Sequence, residues 1–419
     1  MDRSHRKILG VVLLAALVLR LGWALTRPTD AAFIEQLPDQ REYIEAGRSL
    51  RAGGGLSFTD PRFAQRVHAY RAPGYPLLVA ACGGNVRTVR IVQVLLDAST
   101  VLAVFLLARR WLPPSACIFA AILVAFNPFL IYFCGLLLSE TLFTAMLAWG
   151  LVLITARRTI SWLAGGLVLA LSILVRPGAV GFPVVLGVLA AFAARSAVAS
   201  NRASAPAYQR RWPIPVGTTM LLLTLLVLLP WAIRNQRVVG QWVWLTTNEG
   251  ITRYDGFNPD AAAKPIEQLG ASDQSFVAAM PQLKRMSETE RNDYLAEQAG
   301  QFMRDRPLDS LKLAGAKVLR TWSPRPLNAD FSRPIYVAGA LAYAIPFGVL
   351  FAAGLVFAPM PRAAKLLLTA PALYLTLTVA LSVGSLRYRV PAEAPMAVIA
   401  AGALAAGSRS DRLADDGVE

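Results

Sequence analysis

The stretch ILGVVLLAALVLRLGWAL, Ile8 to Leu25, decides how the rest of the chain is read. It carries a single charge, Arg20, and no amphipathic period, the pattern of a helix that crosses a bilayer. A basic segment, Met1-Asp-Arg-Ser-His-Arg-Lys7, precedes it. Without a clear A-x-A cleavage site it reads as an anchor and not as a signal peptide. Nine more apolar runs follow, near residues 88–107, 116–134, 138–156, 161–175, 178–194, 214–232, 335–356, 366–383 and 390–406. The expected fold is an all-α polytopic membrane protein with about ten transmembrane helices, forming one domain over residues 1–419.

Composition agrees: of 419 residues, 55% are hydrophobic and 16% charged. The 42 Lys and Arg against 26 Asp and Glu give a net charge of +16, which in a soluble chain would suggest a nucleic-acid partner. The distribution excludes that reading, because no basic stripe is interleaved with exposed aromatics. Basic residues cluster in alternate connections instead: Arg3, Arg6 and Lys7; Arg109 and Arg110; Arg157 and Arg158; Arg195, Arg202, Arg210 and Arg211; Arg362 and Lys365; Arg409 and Arg412. By the positive-inside rule both termini are cytoplasmic. Two long segments, residues 26–87 and 233–334, then fall outside, where chemistry is expected.

Within the first loop, Pro38 to Leu50 has helical spacing and ends at Gly53-Gly54-Gly55. In the second, Ser287 to Met303 and Leu308 to Trp322 are amphipathic on either side of Arg306-Pro307. All three are expected to be interfacial helices. Asp39 sits at the start of the first of these, and with Glu42 three residues on it also reads as an N-cap. Glu140, in Leu138-Ser139-Glu140-Thr141, follows the third span, with Ser139 a plain N-cap and the helix dipole favouring the acid. Arg20, Arg71, Arg176, Arg234, Arg387 and Arg389 map to the outer side. They read either as snorkelling anchors or, in short outer turns where arginine is disfavoured, as holders of an anionic headgroup or phosphate. Asp97 lies mid-span and reads as a coupling carboxylate or as a packing group bonded near Ser99 and Thr100.

Cys82, Cys117 and Cys134 have no metal or redox spacing and read as packing residues. With only His5 and His68, and no H-E-x-x-H motif, zinc chemistry has no ligand set. Neither a P-loop nor a Rossmann glycine fingerprint is present. No cofactor is required, while a magnesium or manganese ion on Asp39, Glu42 or Glu140 stays open.

Several phrases in order resemble the bacterial branch of the protein O-mannosyltransferase and lipid A aminoarabinose-transferase superfamily, the GT-C glycosyltransferases. They are Asp39-Gln-Arg-Glu-Tyr43 with Gly47 and Leu50, Arg71-Ala-Pro-Gly-Tyr-Pro76, Leu138-Ser-Glu-Thr-Leu-Phe143, Leu174-Val-Arg-Pro177, Pro230-Trp-Ala-Ile-Arg-Asn235, Thr246-Thr-Asn-Glu-Gly250 and Arg387-Tyr-Arg-Val-Pro391. The resemblance implies an inverting transferase of the bacterial inner membrane with a periplasmic active site. Its catalytic residues are Asp39 as base and Glu140 as second acid. Arg71, Tyr75, Arg176, Arg234, Arg387 and Arg389 would bind the donor phosphate, with Glu42 and Tyr43 in support. The donor would be a polyprenyl-phosphate-linked hexose or pentose, and the acceptor a hydroxyl of a glycolipid, polysaccharide or protein, reached among membrane lipids. Gln40 departs from the pattern, standing where relatives often carry an acid.

Two other classes are compatible with the residues. A transporter or lipid flippase is motivated by Asp97 and the many spans, but such carriers usually show repeated halves, and no repeat is visible. A non-catalytic scaffold would leave the outer arginines without a ligand.

Overall fold

The computed structural model describes residues 2–156, 158–199, 215–264, 268–270, 275–325 and 333–415. In chain order the elements are α1 (Arg3–Leu25), α2 (Ala31–Glu35), α3 (Pro38–Arg51), β1 (Phe58–Asp60), β2 (Gln65–Val67), α4 (Gly74–Ala81), α5 (Val86–Ala108), α6 (Pro114–Ala125), α7 (Pro128–Cys134), α8 (Glu140–Ile154), α9 (Thr159–Ile173), α10 (Phe182–Ala199), α11 (Val216–Val239), α12 (Glu249–Gly256), α13 (Pro259–Ala263), α14 (Phe276–Ala279), α15 (Glu288–Asp305), α16 (Pro307–Trp322), α17 (Pro334–Phe357), α18 (Arg362–Ala380) and α19 (Val390–Asp415). Of the basic residues expected to mark the inner ends, the side chains of Arg157, Arg195, Arg202, Arg210, Arg211, Arg409 and Arg412 lie outside the described residues.

Every expected apolar run carries helix, but the count of spans by length is smaller than ten. Among the described residues α1, α5, Pro177–Ala194, α11, α17 and α18 are long and apolar enough to cross a membrane, and α6 with α7 makes a bent seventh. Helices α8 and α9, at 15 residues each, and Val390–Ala405 are apolar but shorter. Exposed Val11, Leu14 and Val18 on α1, Leu222 and Leu226 on α11, and Val349 and Val356 on α17 form the apolar exterior that lipid requires.

At the centre runs α19, buried at every position from Val390 to Gly402 and packed by α5, α6, α8, α17 and α18. Its alanines let neighbouring backbones come close, as is usual where lipid supplies no hydrophobic drive. The approach of α17 is tightest at Gly354, where a Cβ would stand 2.0 Å from the Ile399 carbonyl oxygen.

The run 116–134, expected as one span, is broken by 50° between α6 and α7. Pro128 has no N–H for the Val124 carbonyl. The N–H of Phe129, which would serve Ala125, donates to the Asn127 side chain at 2.9 Å. Arg20 serves both carbonyls, Nη2 donating to Val124 O at 3.0 Å, which Asn127 N also reaches at 3.4 Å, and Nη1 to Ala125 O at 2.8 Å, while its Nε meets Asp97 Oδ2 at 2.6 Å. Arg20 is therefore no snorkelling anchor, being fully buried, and the partner of Asp97 is this guanidinium and not Ser99 or Thr100, whose hydroxyls donate to Leu96 O.

The two long connections form one cap. The first carries α2, α3, the β1–β2 hairpin, in which Phe58 pairs with Val67, and α4; this hairpin is the one departure, among the described residues, from an all-helical chain. The second carries α12 to α16, with a capping box from Ser287 and Glu290 opening α15. A separate apolar core, including Phe58, Phe63, Tyr70, Ile251, Phe257 and Leu295, joins the two connections.

Removing one member of a buried pair is far costlier than softening it. Arg20→Leu strands Asp97 and the Ala125 carbonyl, and Asp97→Asn leaves the Arg20 charge buried without a counter-ion, so each is expected to lower stability by about 3–5 kcal/mol. Thermal unfolding in detergent measures both, and an unchanged melting temperature for Arg20→Leu would refute this account of the bend.

Candidate active site

Helix α3 begins with Pro38 at its first position and Leu37 as N-cap, without a side-chain cap. Asp39 therefore does not cap the helix; it lies in the first turn and meets arginines. Ser139 likewise precedes α8 without a side-chain cap bond. Arg71 spans one turn of α3: its Nη2 contacts Asp39 Oδ1, and its Nε donates to Glu42 Oε2 at 2.6 Å. Its guanidinium also lies over the rings of Tyr43 and Tyr70, at 5.4 and 5.3 Å.

Arg387 sits in the short 3₁₀ turn Leu386–Tyr388 between α18 and α19. Its Nη1 donates to Asp39 Oδ2 at 2.7 Å and its Nε to Glu140 Oε1 at 2.5 Å. Arg176 approaches the same Glu140 oxygen at 3.2 Å, leaving Glu140 Oε2 buried without a hydrogen-bond partner. One chain of alternating charges thus runs Glu42, Arg71, Asp39, Arg387, Glu140, Arg176. Asp39 keeps 23% of its side chain accessible, against 2% for Glu42 and 0% for Glu140, so it is the carboxylate that a substrate can reach.

Backbone contacts bring these segments together. Gly74 N donates to Leu174 O at 2.7 Å, and a Cβ on Gly74 would stand 2.8 Å from that oxygen, so only glycine lets the Arg71 segment lie against the Arg176 segment. Gln40, where an acid was anticipated, accepts from Leu137 N at 2.9 Å and fixes the turn that presents Glu140. From the second connection, Glu288 accepts from the N–H groups of His68 and Ala69 at 3.0 and 3.2 Å, and Thr247 N donates to Ala69 O at 3.0 Å.

Sequence reading overlooked Glu288, whose place in the first turn of α15 is a visible dipole-favoured position. It also missed Asp60 and Arg62. Arg62 donates to Asp60 Oδ2 at 2.6 Å and to the Tyr70 hydroxyl at 2.7 Å, and stands 3.8 Å from Glu42. The turn Asp60-Pro61-Arg62 in the hairpin was the available signal.

Burial alone would raise the Asp39 carboxyl, but the Arg71 and Arg387 guanidiniums hold it well below the usual carboxylate range. Burial pushes Glu42 the other way, upward, against Arg71 and with the help of the Asp39 charge. Burial opposes the charge on Arg71 and Arg387 too, yet their carboxylate partners keep both firmly protonated. Burial raises Tyr43, and lifts Tyr70 to about 12.

Three expected phosphate binders lie elsewhere. The Tyr75 hydroxyl bonds Gln93 Oε1, and its ring packs edge-on against Tyr43, so it supports the site from below. Arg234 is occupied by backbone, donating to His68 O at 2.7 Å and Leu56 O at 3.0 Å. Arg389 turns away from Arg387: it pairs with Glu393 at 2.9 Å, donates to Ser323 O at 2.6 Å, and borders a cavity of about 390 Å³ between α17, α18 and α19. Among the described residues no three His, Cys, Asp or Glu side chains converge as metal ligands, and the carboxylates of the cluster face guanidiniums.

No family model matches the sequence, and no curated protein matches it either. Oligosaccharyltransferase AglB from the archaeon Archaeoglobus fulgidus, solved with an inhibitory peptide and a dolichol-phosphate, superposes with a TM-score of 0.55 at 14% identity, covering 99% of this chain and 52% of that one. The same organism's oligosaccharyltransferase, tethered by a disulfide to an acceptor peptide with the NVT sequon, gives 0.53 at 15% identity, covering 99% and 50%. Its apo form gives 0.53 at 14%, covering 99% and 51%. The chain shares the fold of these oligosaccharyltransferases. It spans about half of their length, and at this identity the likeness concerns the fold of a multi-pass membrane protein.

One buried cation stands beneath the site. Lys317 of α16 is fully buried, its Nζ without a hydrogen-bond partner and 3.2 Å from the Phe257 ring centroid, and its backbone lies under Gly384, three residues before Arg387. Burial depresses it from 10.5 to about 7, with Asp255 opposing. A lysine lowered on folding is charged in both states below pH 7, where the cost of burying it is complete; the cost fades as pH rises toward 10.5. Lys317→Met should thus be more stable than the parent at pH 6.5, with the gap closing by pH 10. A gap in melting temperature that is constant with pH would refute this.

Proposed function

We propose that this protein is an inverting glycosyltransferase of a bacterial inner membrane. In this reading both termini are cytoplasmic, and a hexosyl or pentosyl group moves at the periplasmic face from a polyprenyl-phosphate donor to a hydroxyl acceptor. The observation that carries the reading is Arg387 bridging Asp39 and Glu140, which gathers residues 39, 140 and 387 beside the one carboxylate open to a substrate. The fold shared with oligosaccharyltransferases, one of them solved with a dolichol-phosphate, supports it. Asp97, which motivated a carrier, is committed to Arg20.

The chemistry follows from the charges. An acceptor oxygen attacks the anomeric carbon from the face opposite the phosphate; the new C–O bond forms as the bond to the phosphate oxygen breaks. That oxygen leaves with the electron pair, and the acceptor proton passes to Asp39 as general base. Negative charge grows on the departing phosphate, where Arg387 and Arg176 stabilise it. The 390 Å³ apolar cavity, which begins two residues from Arg387 at Arg389, suits part of the polyprenyl chain. No metal is needed in this scheme, because guanidiniums supply the positive charge, and transfer is expected to survive chelation with EDTA.

In the resting protein Asp39 is a weak base, because two guanidiniums hold its charge. Donor phosphate competes for Arg387 and, by drawing it away, restores the basicity of Asp39 as the substrate arrives. Asp39 therefore stays ionised through the acid range in the free enzyme but titrates higher in the complex. The acid limb of kcat should lie at higher pH than any acid limb of kcat/KM; coincident limbs would contradict this release.

Asp39→Asn tests the assignment in membranes supplied with a polyprenyl-phosphate sugar. Loss of the base should lower kcat by about 10²- to 10⁴-fold with little change in donor KM, and full activity would end the assignment. Arg387→Lys, which cannot meet two carboxylates in a fork, should raise donor KM and lower kcat together. Profiling glycolipids and glycans in a strain without the protein identifies the sugar and the acceptor.

A further inference from the structure

A second cationic site, sharing no lining residue with the Asp39 cluster, stands where the end of α1 meets the start of α5. A cavity of about 260 Å³ is lined there by Arg27, Arg87 and Arg90 above the apolar side chains of Leu21, Leu25 and Ile91. Arg90 is 2% exposed; its Nη1 and Nη2 donate to Arg27 O and Pro28 O, both at 2.7 Å, and its Nε has no partner. Arg27 stacks on Trp23 at 3.9 Å, makes one long bond to Thr26 Oγ1 at 3.4 Å, and also has a buried Nε without a partner. Among the described residues none of the three guanidiniums pairs with a carboxylate.

The dipole of α5 does not call for these charges. Arg87 and Arg90 lie in the first turns of a 23-residue helix with no acid in its first turn, so they oppose the positive end of its dipole. Stability would favour Asp or Glu there. Both helices are long enough to span, so the cavity sits at headgroup level, with its cations uppermost and its leucines and isoleucine reaching toward hydrocarbon.

We propose that this cavity seats the phosphate of an anionic lipid, with Arg27 and Arg87 as the contacting cations and Arg90 positioning the Arg27-Pro28 backbone beside them. The apolar floor takes the first methylenes of an acyl chain, which separates a lipid phosphate from free phosphate.

The protein is reconstituted in nanodiscs of phosphatidylcholine with one third phosphatidylglycerol, and retained lipid is measured by native mass spectrometry. Phosphatidylglycerol should be retained over phosphatidylcholine, and Arg27→Gln/Arg87→Gln should lower that preference about tenfold. Arg109→Gln/Arg110→Gln, at the opposite end of α5, removes the same two charges and should leave it unchanged, which controls for net charge. Displacement of the lipid by 10 mM orthophosphate would overturn the lipid assignment, and a preference that survives the double variant would overturn the site. Arg87→Gln alone, in phosphatidylcholine only, should melt no lower than the parent; a loss there would mark the cation as structural and sink the proposal. Because lipid retention is the readout, failure of the glycosyltransferase reading would not alter this result.

Discussion

A charge taken out of water must be met by an opposite charge, and this molecule is organised around that constraint. Glu140 is fully buried at the head of an apolar helix and Asp39 lies in the first turn of α3, and Arg387 meets both. Because each group is costly alone, the three segments that carry them are held in one arrangement. The loop connections answer to this arrangement: Glu288, Arg234, Gln40 and Gly74 all act on backbone, placing the segments from which the charged side chains extend.

The same constraint recurs deeper in the bundle with a different result. Arg20 and Asp97 form a fully buried pair, and the guanidinium spends its remaining donors on carbonyls at the bend between α6 and α7. That pair is architecture. The Asp39 cluster differs because its charges alternate along a chain of groups from Asp60 and Arg62 to Glu140 and Arg176 and because Asp39 stays partly open to solvent, so a charged substrate can exchange partners with it.

Much of the bundle was legible in the sequence because a bilayer imposes long apolar runs, and each run carries helix. Length was less legible: α8 and α9 look like spans by composition, yet their regular portions stop at 15 residues. The bend at Asn127-Pro128 was present as a proline, but its cause lies in Arg20, more than a hundred positions away, and no local pattern contains that. In the candidate site, Arg176 and Arg387 were traceable because arginines in short connections opposite the basic ends are anomalous, and Asp39, Glu140 and Arg71 because they stand in phrases that resemble a known family. Arg389 carried the same anomaly and Arg234 stood in such a phrase, yet the one pairs with Glu393 and the other with backbone. Periodicity cannot say which way a guanidinium turns. The β1–β2 hairpin escaped notice because three-residue strands leave too little alternation to read.

The composition of α19 bears on how the protein is made. A segment rich in alanine, with Arg389 just before it and Glu393 in its first turn, partitions only weakly into lipid by itself. The burial of Val390 to Gly402 means that the surrounding helices form a receptacle with a slot of alanine width, lined where α17 crosses by Gly354. Biogenesis thus depends on those helices, which leave the ribosome earlier, waiting in an incompletely closed state until the segment from Val390 onward is delivered.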